Sequence, residues 1–327
     1  MNEHTLKTNE AKRQNSRGRN ATRPSEIPRQ GWKDIAIRVK NEIAADNLSI
    51  IAAGVAFYAF LSIFPALAAF VSIYGLITDP AELQQHVSSI QTLLPAEAAQ
   101  LVNEELRRVG ESHESHLGWS LVVGTLLAIW SAAKGMKTMF ASMNVAYDEE
   151  ESRGFFKLNA AAVLMTLGAI LFVIAFLTLI VGVPAYLASF GMPGILGSLI
   201  NYLRWPILAV AGMFALSFLY RYGPNRRKPQ WRWISWGAAI GTLIWLLGSG
   251  LFSFYVANFN NYNKTYGSLG VVVILMMWLL LSVYSVLIGA EINAEMEHQT
   301  AEDTTVGEPR SMGQRGAHVA DTVGEES

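Results

Sequence analysis

The stretch IIAAGVAFYAFLSIFPALAAFVSIYGLI, residues 50–77, carries no charged side chain. As a helix rising 1.5 Å per residue it is about 42 Å long, enough to cross a ~30 Å hydrocarbon core with some tilt. Inside lipid every backbone N–H and C=O must be satisfied within the segment, so a run of this kind is read as a spanning helix. Pro65 lies mid-span, removes one backbone donor and is expected to kink the helix. Ser62, one turn earlier, is placed to satisfy part of the freed backbone.

The rest of the chain repeats this pattern. Half of the residues are hydrophobic (51%) and only 16% are charged, well under the usual quarter of a soluble domain. The charges sit in blocks. Residues 158–203 are uncharged throughout, too long for one span, and are divided by Pro184 and the turn cluster Gly191-Met192-Pro193-Gly194. The expected fold is all-α, a polytopic membrane protein with about six transmembrane helices. The spans are placed at about 50–77, 117–140, 158–183, 204–222, 233–257 and 266–291, inside a membrane domain of residues 32–298. Residues 1–31 are polar and basic and are expected to form a disordered arm; 299–327 are expected to form a disordered acidic tail. Ile35, Val39 and Ile43, at helical spacing and flanked by Lys33, Arg38 and Lys40, suggest an amphipathic helix on the inner membrane surface. No cleavable signal peptide is visible, since the first apolar run begins only near Ile50 and is too long.

The distribution of Lys and Arg sets the orientation. Of the 25, 21 fall in residues 1–40, the second loop with its flanking Lys134 and Lys137, the fourth loop and the tail, and four in the first, third and fifth loops. Cytoplasmic loops carry the excess, so both termini are expected in the cytoplasm. The net charge of −1 gives no field to gather nucleic acid, and nucleic acid is not an expected partner. The absence of cysteine excludes disulfides and thiolate chemistry.

No phosphate-cradling loop and no HExxH motif is present, so no catalytic, cofactor-binding or metal-ligating set is assigned. His113 and His116 are a close pair without a visible third ligand, and a solvated outer-loop face is the plain reading. Lys134 and Glu291, at the inner ends of the second and sixth spans, are candidates for an ion pair that lowers the cost of both charges; the plainer reading is interfacial anchoring. Glu295, one turn on, is expected to face water, and Asn293 to cap contacts nearby. The hairpin NFNNYNKTYGSLG, residues 258–270, offers Asn261, Tyr262 and Tyr266 as contacts to a headgroup or substrate, against the plain reading of a polar loop. Gly237 with Gly241, and Ser285 with Gly289, have the spacing that lets helix backbones approach closely.

The residues resemble the YihY/BrkB family of bacterial inner-membrane proteins, once labelled ribonuclease BN. AAGVAFYAFLSIFPAL at 52–67 resembles its opening signature, with Tyr58, Ser62 and Pro65 in place. WSAAKGMKTMFASMNVAYDEEESR at 130–153 is similar to the next block, with Trp130, Asn144, Tyr147 and Arg153. Tyr220 to Asn225 is similar to a third. The last, YNKTYGSLGVVVILMMWLLLSVYSVLIGAEINAE at 262–295, includes Tyr262, Tyr266, Gly289, Glu291 and Asn293 and is the most specific. The resemblance covers roughly 32–298 and implies six helices and a multi-pass inner-membrane location.

Three functions are compatible with these residues. Transport of lipid or another amphipathic substrate fits a bundle with a Pro-bearing first helix, a broken middle region and polar inner ends. A non-catalytic factor that organises the envelope is the alternative, with the outer loop 79–116 or the basic arm docking a partner or a second copy. A ribonuclease is the remote third, since no HxHxDH-type cluster is present to activate water. Membrane lipids are the expected contact in every case, and no cofactor is expected.

Overall fold

A computed structural model describes residues 16–77, 114–179, 194–258 and 268–326. The described residues are helical with no named strand. After a 3-10 turn at Pro24–Glu26 come α1 (Arg29–Ala45), α2 (Leu48–Ile77), α3 (Glu114–Ala146), α4 (Phe155–Leu177), α5 (Gly194–Tyr222), α6 (Trp231–Asn258), α7 (Ser268–His298) and a short α8 (His318–Asp321). Four of these are long and apolar enough to cross a membrane: Phe155–Ala175, Trp205–Tyr222, Trp231–Ala257 and Gly270–His298. A fifth is added if α1 and Leu48–Ile63, bent by 63°, make one broken span. The all-α polytopic expectation is therefore met. Asn47 forms the elbow between α1 and α2 with a φ of 51°, a left-handed conformation that an Asn side chain tolerates.

α7 is the centre of the bundle. It packs against α1, α2, α3, α6 and α8, while α4 packs on α3 and only sparsely on α5. The closest crossing, α6 on α7, uses the small residues singled out above. A Cβ on Gly237 would run into the Gly289 carbonyl, and one on Gly241 would lie 3.2 Å from the Ser285 carbonyl. Tyr220 of α5 lies against Gly289 and donates its hydroxyl to the Val286 carbonyl (2.8 Å), an acceptor it reaches because position 289 has no side chain. Around this crossing Leu48, Ala52, Met143, Tyr147, Ile234, Leu287 and Ala290 form the largest apolar core.

Two expectations are corrected here. The tail and the second half of the arm are ordered layers on one end of the bundle. Gln299, Thr300, Thr304, Thr305 and Arg315 are buried. Arg315 donates to the carbonyls of Ala301, Glu302 and Ala320, Thr300 to that of Ala21, and Gln299 to that of Arg17. Low apolar content predicts disorder when order must come from a hydrophobic core; here guanidinium and amide donors satisfy backbone carbonyls instead. The apolar stripe of α1 is also covered by protein: Ile35 and Val39 pack with Trp233 and Met296.

Candidate functional site

The arm-and-tail end of the bundle is built from polar residues that hold two loops together. Asn144, near the end of α3, accepts the Asn225 N–H at Oδ1 (2.7 Å) and donates Nδ2 to Glu151 (3.1 Å). Asn225 donates Nδ2 to the Glu150 carbonyl and the Ser152 hydroxyl. Arg153 pairs with Glu151 (2.6 Å) and donates to the Gly223 carbonyl (3.0 Å), joining the start of α4 to the end of α5. Hydrogen bonds from Arg153 hold the Glu151 carboxyl below its ordinary range, against the smaller opposing effect of burial.

Behind this clamp lies a buried polar core. Arg226 and Glu297 form an ion pair at 2.6 Å with both side chains fully buried. Thr304 of the tail donates to the same Glu297 oxygen (2.6 Å), and the guanidinium lies 4.9 Å from the Tyr147 ring centroid. Asn293 accepts the Gly237 N–H at Oδ1 (2.8 Å), so its amide locks α7 onto α6. Its other end lies beside Tyr147. Arg38 of α1 pairs with Glu295 and donates to Gln299 Oε1 (2.7 Å). Glu291 is 2% exposed, and Asp46 at the elbow is half-buried. Burial first, and then the charge of Asp148, raise the pKa of Asp46.

Five buried polar atoms of this core have no hydrogen-bond partner among the described residues: Tyr147 Oη, Arg226 Nη1, Glu291 Oε1, Asn293 Nδ2 and Glu297 Oε1. An orphaned buried donor or acceptor costs about 1–3 kcal/mol, and a fold rarely gathers five in one place for packing alone. Donors and acceptors are mixed, which suits water or a polar headgroup better than a bare cation.

The residues singled out from the sequence divide into three groups. Asn144, Arg153, Glu291 and Asn293 belong to the clamp and core. Tyr58 and Ser62 lie on α2 away from it. Tyr58 is 43% exposed, and Ser62 donates to the Ala59 carbonyl (2.7 Å), closing a local bond within its own helix. Pro65 lies inside α2. Asn261, Tyr262 and Tyr266 fall outside the described residues. Lys134 makes no pair with Glu291. Its ammonium lies 3.9 Å from the Trp130 ring centroid. Met143 shares a core with Ala290 and Ala294, on either side of Glu291, and Lys134 is about 14 Å back along α3, nine residues at 1.5 Å each. Glu295 is buried and paired, not solvated. Arg38, Asp46, Arg226 and Glu297 complete the core; Arg226 had counted only as a loop charge, although charges this close to apolar spans are the signal that finds such residues.

The chain matches known proteins over most of its length. A family model described as Virulence factor BrkB matches residues 39–313. The putative ribonuclease-like protein YfkH of Bacillus subtilis is 32% identical over 250 residues, 74% of this chain and 87% of the relative. UPF0761 membrane proteins of Idiomarina loihiensis (25% identical, 77% of this chain, 87% of the relative) and Vibrio campbellii (27%, 79% and 84%) are similar along the same region. No solved structure matches. The apolar helices and these relatives agree on a multi-pass protein of the bacterial inner membrane. The chain belongs to the BrkB (YihY) family of membrane proteins.

Proposed function

We propose that the protein moves a lipid or another amphipathic molecule between the leaflets of the inner membrane, without covalent chemistry. The observation that carries this reading is the buried polar core with its five unpartnered atoms, at one end of an otherwise apolar bundle. With both termini in the cytoplasm, the orientation that the positive-inside rule favours, this end lies at the inner leaflet. Beside it runs the seam between α4 and α5. The two helices are tied at this end by Arg153 on the Gly223 carbonyl and touch little beyond it. Phe155, Leu164 and Leu171 on α4, and Val210 and Phe214 on α5, are exposed. A lipid-facing seam that ends in a polar clamp suits an amphipathic substrate: acyl chains in the seam, headgroup against the polar end.

The test is fluorescent phospholipid exchange between leaflets of proteoliposomes, comparing zwitterionic and anionic headgroups with empty vesicles. Protein-dependent exchange is expected. Exchange equal to that of empty vesicles for every headgroup, with folded protein verified, removes this reading. The ribonuclease-like name of the Bacillus relative supplies the second reading. Cleavage of RNA by the purified full chain, lost on mutation of the core carboxyls, would replace transport with it.

A further inference from the structure

The candidate span of α5 ends at Tyr222 and that of α6 begins at Trp231, so residues 223–230 join the two helices at the membrane boundary. Aromatic rings gather there. Phe214 of α5 stacks on Trp231 of α6, with centroids 6.2 Å apart and planes 9° apart. Phe218 lies 4.4 Å from Tyr222, one turn on. Phe214, Phe218 and Trp231 are exposed. Two cations lie on these rings. The Arg221 guanidinium is 4.6 Å from the Trp231 centroid and 5.8 Å from that of Tyr222, and the Lys228 ammonium is 4.6 Å from Tyr222.

Neither cation has a carboxylate: among the described residues no ion pair includes Arg221 or Lys228. Arg221 gives Nη1 to the Pro229 carbonyl, which fixes the guanidinium, and its Nε is buried with no partner among the described residues. The neighbouring acidic residues are engaged elsewhere. Glu297 pairs with Arg226, and Asp303 accepts the Thr305 and Arg310 N–H groups. A ring face attracts a cation without neutralising it, and two cations on one ring repel unless an anion compensates them. The flat fork of an Arg matches two phosphate oxygens, and Lys adds a point charge. A free phosphate would use the cations alone; a lipid would also cover the exposed Phe218 and Phe214, one and two turns back along α5 from Tyr222. We propose that Arg221 and Lys228 bind the phosphate of an anionic phospholipid, with Trp231 and Tyr222 at headgroup level and the acyl chains along Phe218 and Phe214. The site lies outside the buried core of Arg226 and Glu297. It shares Phe214 with the exposed seam and goes beyond the transport reading, since it requires only binding.

The test is native mass spectrometry of the delipidated full-length protein in detergent, titrated with phosphatidylglycerol, with phosphatidylcholine, or with phosphatidylglycerol in the presence of free glycerol phosphate. One phosphatidylglycerol is expected to be held more tightly than any phosphatidylcholine and to stay bound beside equimolar glycerol phosphate. Its affinity is expected to fall about five-fold in Arg221→Gln or Lys228→Gln and about 25-fold in the double variant. Lys134→Gln removes a cation from another exposed ring and is expected to change nothing. Lys228 is exposed, so Lys228→Gln and Lys228→Glu carry the test if Arg221→Gln does not purify as a monodisperse protein. Equal retention of the two lipids, an affinity unchanged in Lys228→Glu, or displacement by equimolar glycerol phosphate overturns the proposal. Binding without leaflet exchange removes the transport reading alone, and exchange without preferential binding removes this site alone.

Discussion

α4 and α7 are both apolar helices of the same bundle, yet they solve different problems. α4 exposes Phe155, Phe156, Leu164 and Leu171 and buries little beyond Ala162 and Thr166. α7 is surrounded and keeps Glu291, Asn293, Glu295 and Glu297 buried within two turns. A lipid-facing helix needs only apolar side chains, because lipid accepts any of them. A central helix must satisfy each polar group individually, and it specifies its neighbours by doing so. The difference predicts where the molecule is sensitive to mutation.

The largest effect is expected at the fully buried pair. Arg226→Ala leaves Glu297 buried and unpaired and should destabilise by about 3–5 kcal/mol, the usual result of breaking such a pair from one side. Arg226→Met with Glu297→Leu together should recover most of that loss. Thermal unfolding in detergent checks both. No recovery in the double variant would show that the Thr304 and Tyr147 contacts, not the charge pair, hold this end.

Next is the helix crossing. Gly289→Leu would drive a side chain into Tyr220 and the Gly237 backbone, and should destabilise by about 1–3 kcal/mol or prevent assembly, as overpacking does. On α4, a Cβ at Gly168 meets nothing within 4 Å, and Gly168→Leu should stay within about 0.5 kcal/mol. Melting temperatures of this pair sharpen the contrast between the two helices directly.

A smaller effect is expected with pH. The pKa of Asp46 is raised in the folded protein by burial and by Asp148. The folded state therefore holds that proton more tightly than the unfolded state. The associated stability is present at low pH and is lost as pH rises through the raised value. The sign is opposite at Glu151, whose lowered value makes its contribution fail as pH falls. Asp46→Asn should flatten the upper part of a melting-temperature profile, and Glu151→Gln the lower part. Smallest of all, Lys134→Ala removes an exposed cation over Trp130 and should change stability by about 0.5 kcal/mol or less.

Much of the fold was legible because hydropathy records what lipid demands. The uncharged runs at 50–77 and 158–203 correspond to α2, α4 and α5, and GxxxG spacing found the α6–α7 crossing. The end of α7 was misplaced by two turns, since the charges from Glu291 onward look like an exit to water when they are paired inside. The arm and tail were misread for a related reason: Arg19 and Arg315 order them through carbonyls that leave no trace in composition. Within the candidate site, Asn144 and Arg153 came from resemblance to the family blocks, and Glu291 and Asn293 from polar groups at the inner end of an apolar span. Their partners did not, because Arg226 meets Glu297 across 71 residues of chain, and Arg38 meets Glu295 across 257. Pairing Lys134 with Glu291 took both for the inner ends of their spans, whereas α3 runs twelve residues past Lys134 and α7 seven past Glu291.

The most direct test of a working polar core is leaflet exchange of fluorescent phospholipid in proteoliposomes that carry wild type, Glu291→Gln or Lys134→Ala at equal folded density. The account predicts exchange by the wild type, its loss in Glu291→Gln and its retention in Lys134→Ala. Equal exchange in Glu291→Gln and the wild type, or wild-type vesicles indistinguishable from empty ones, would contradict it.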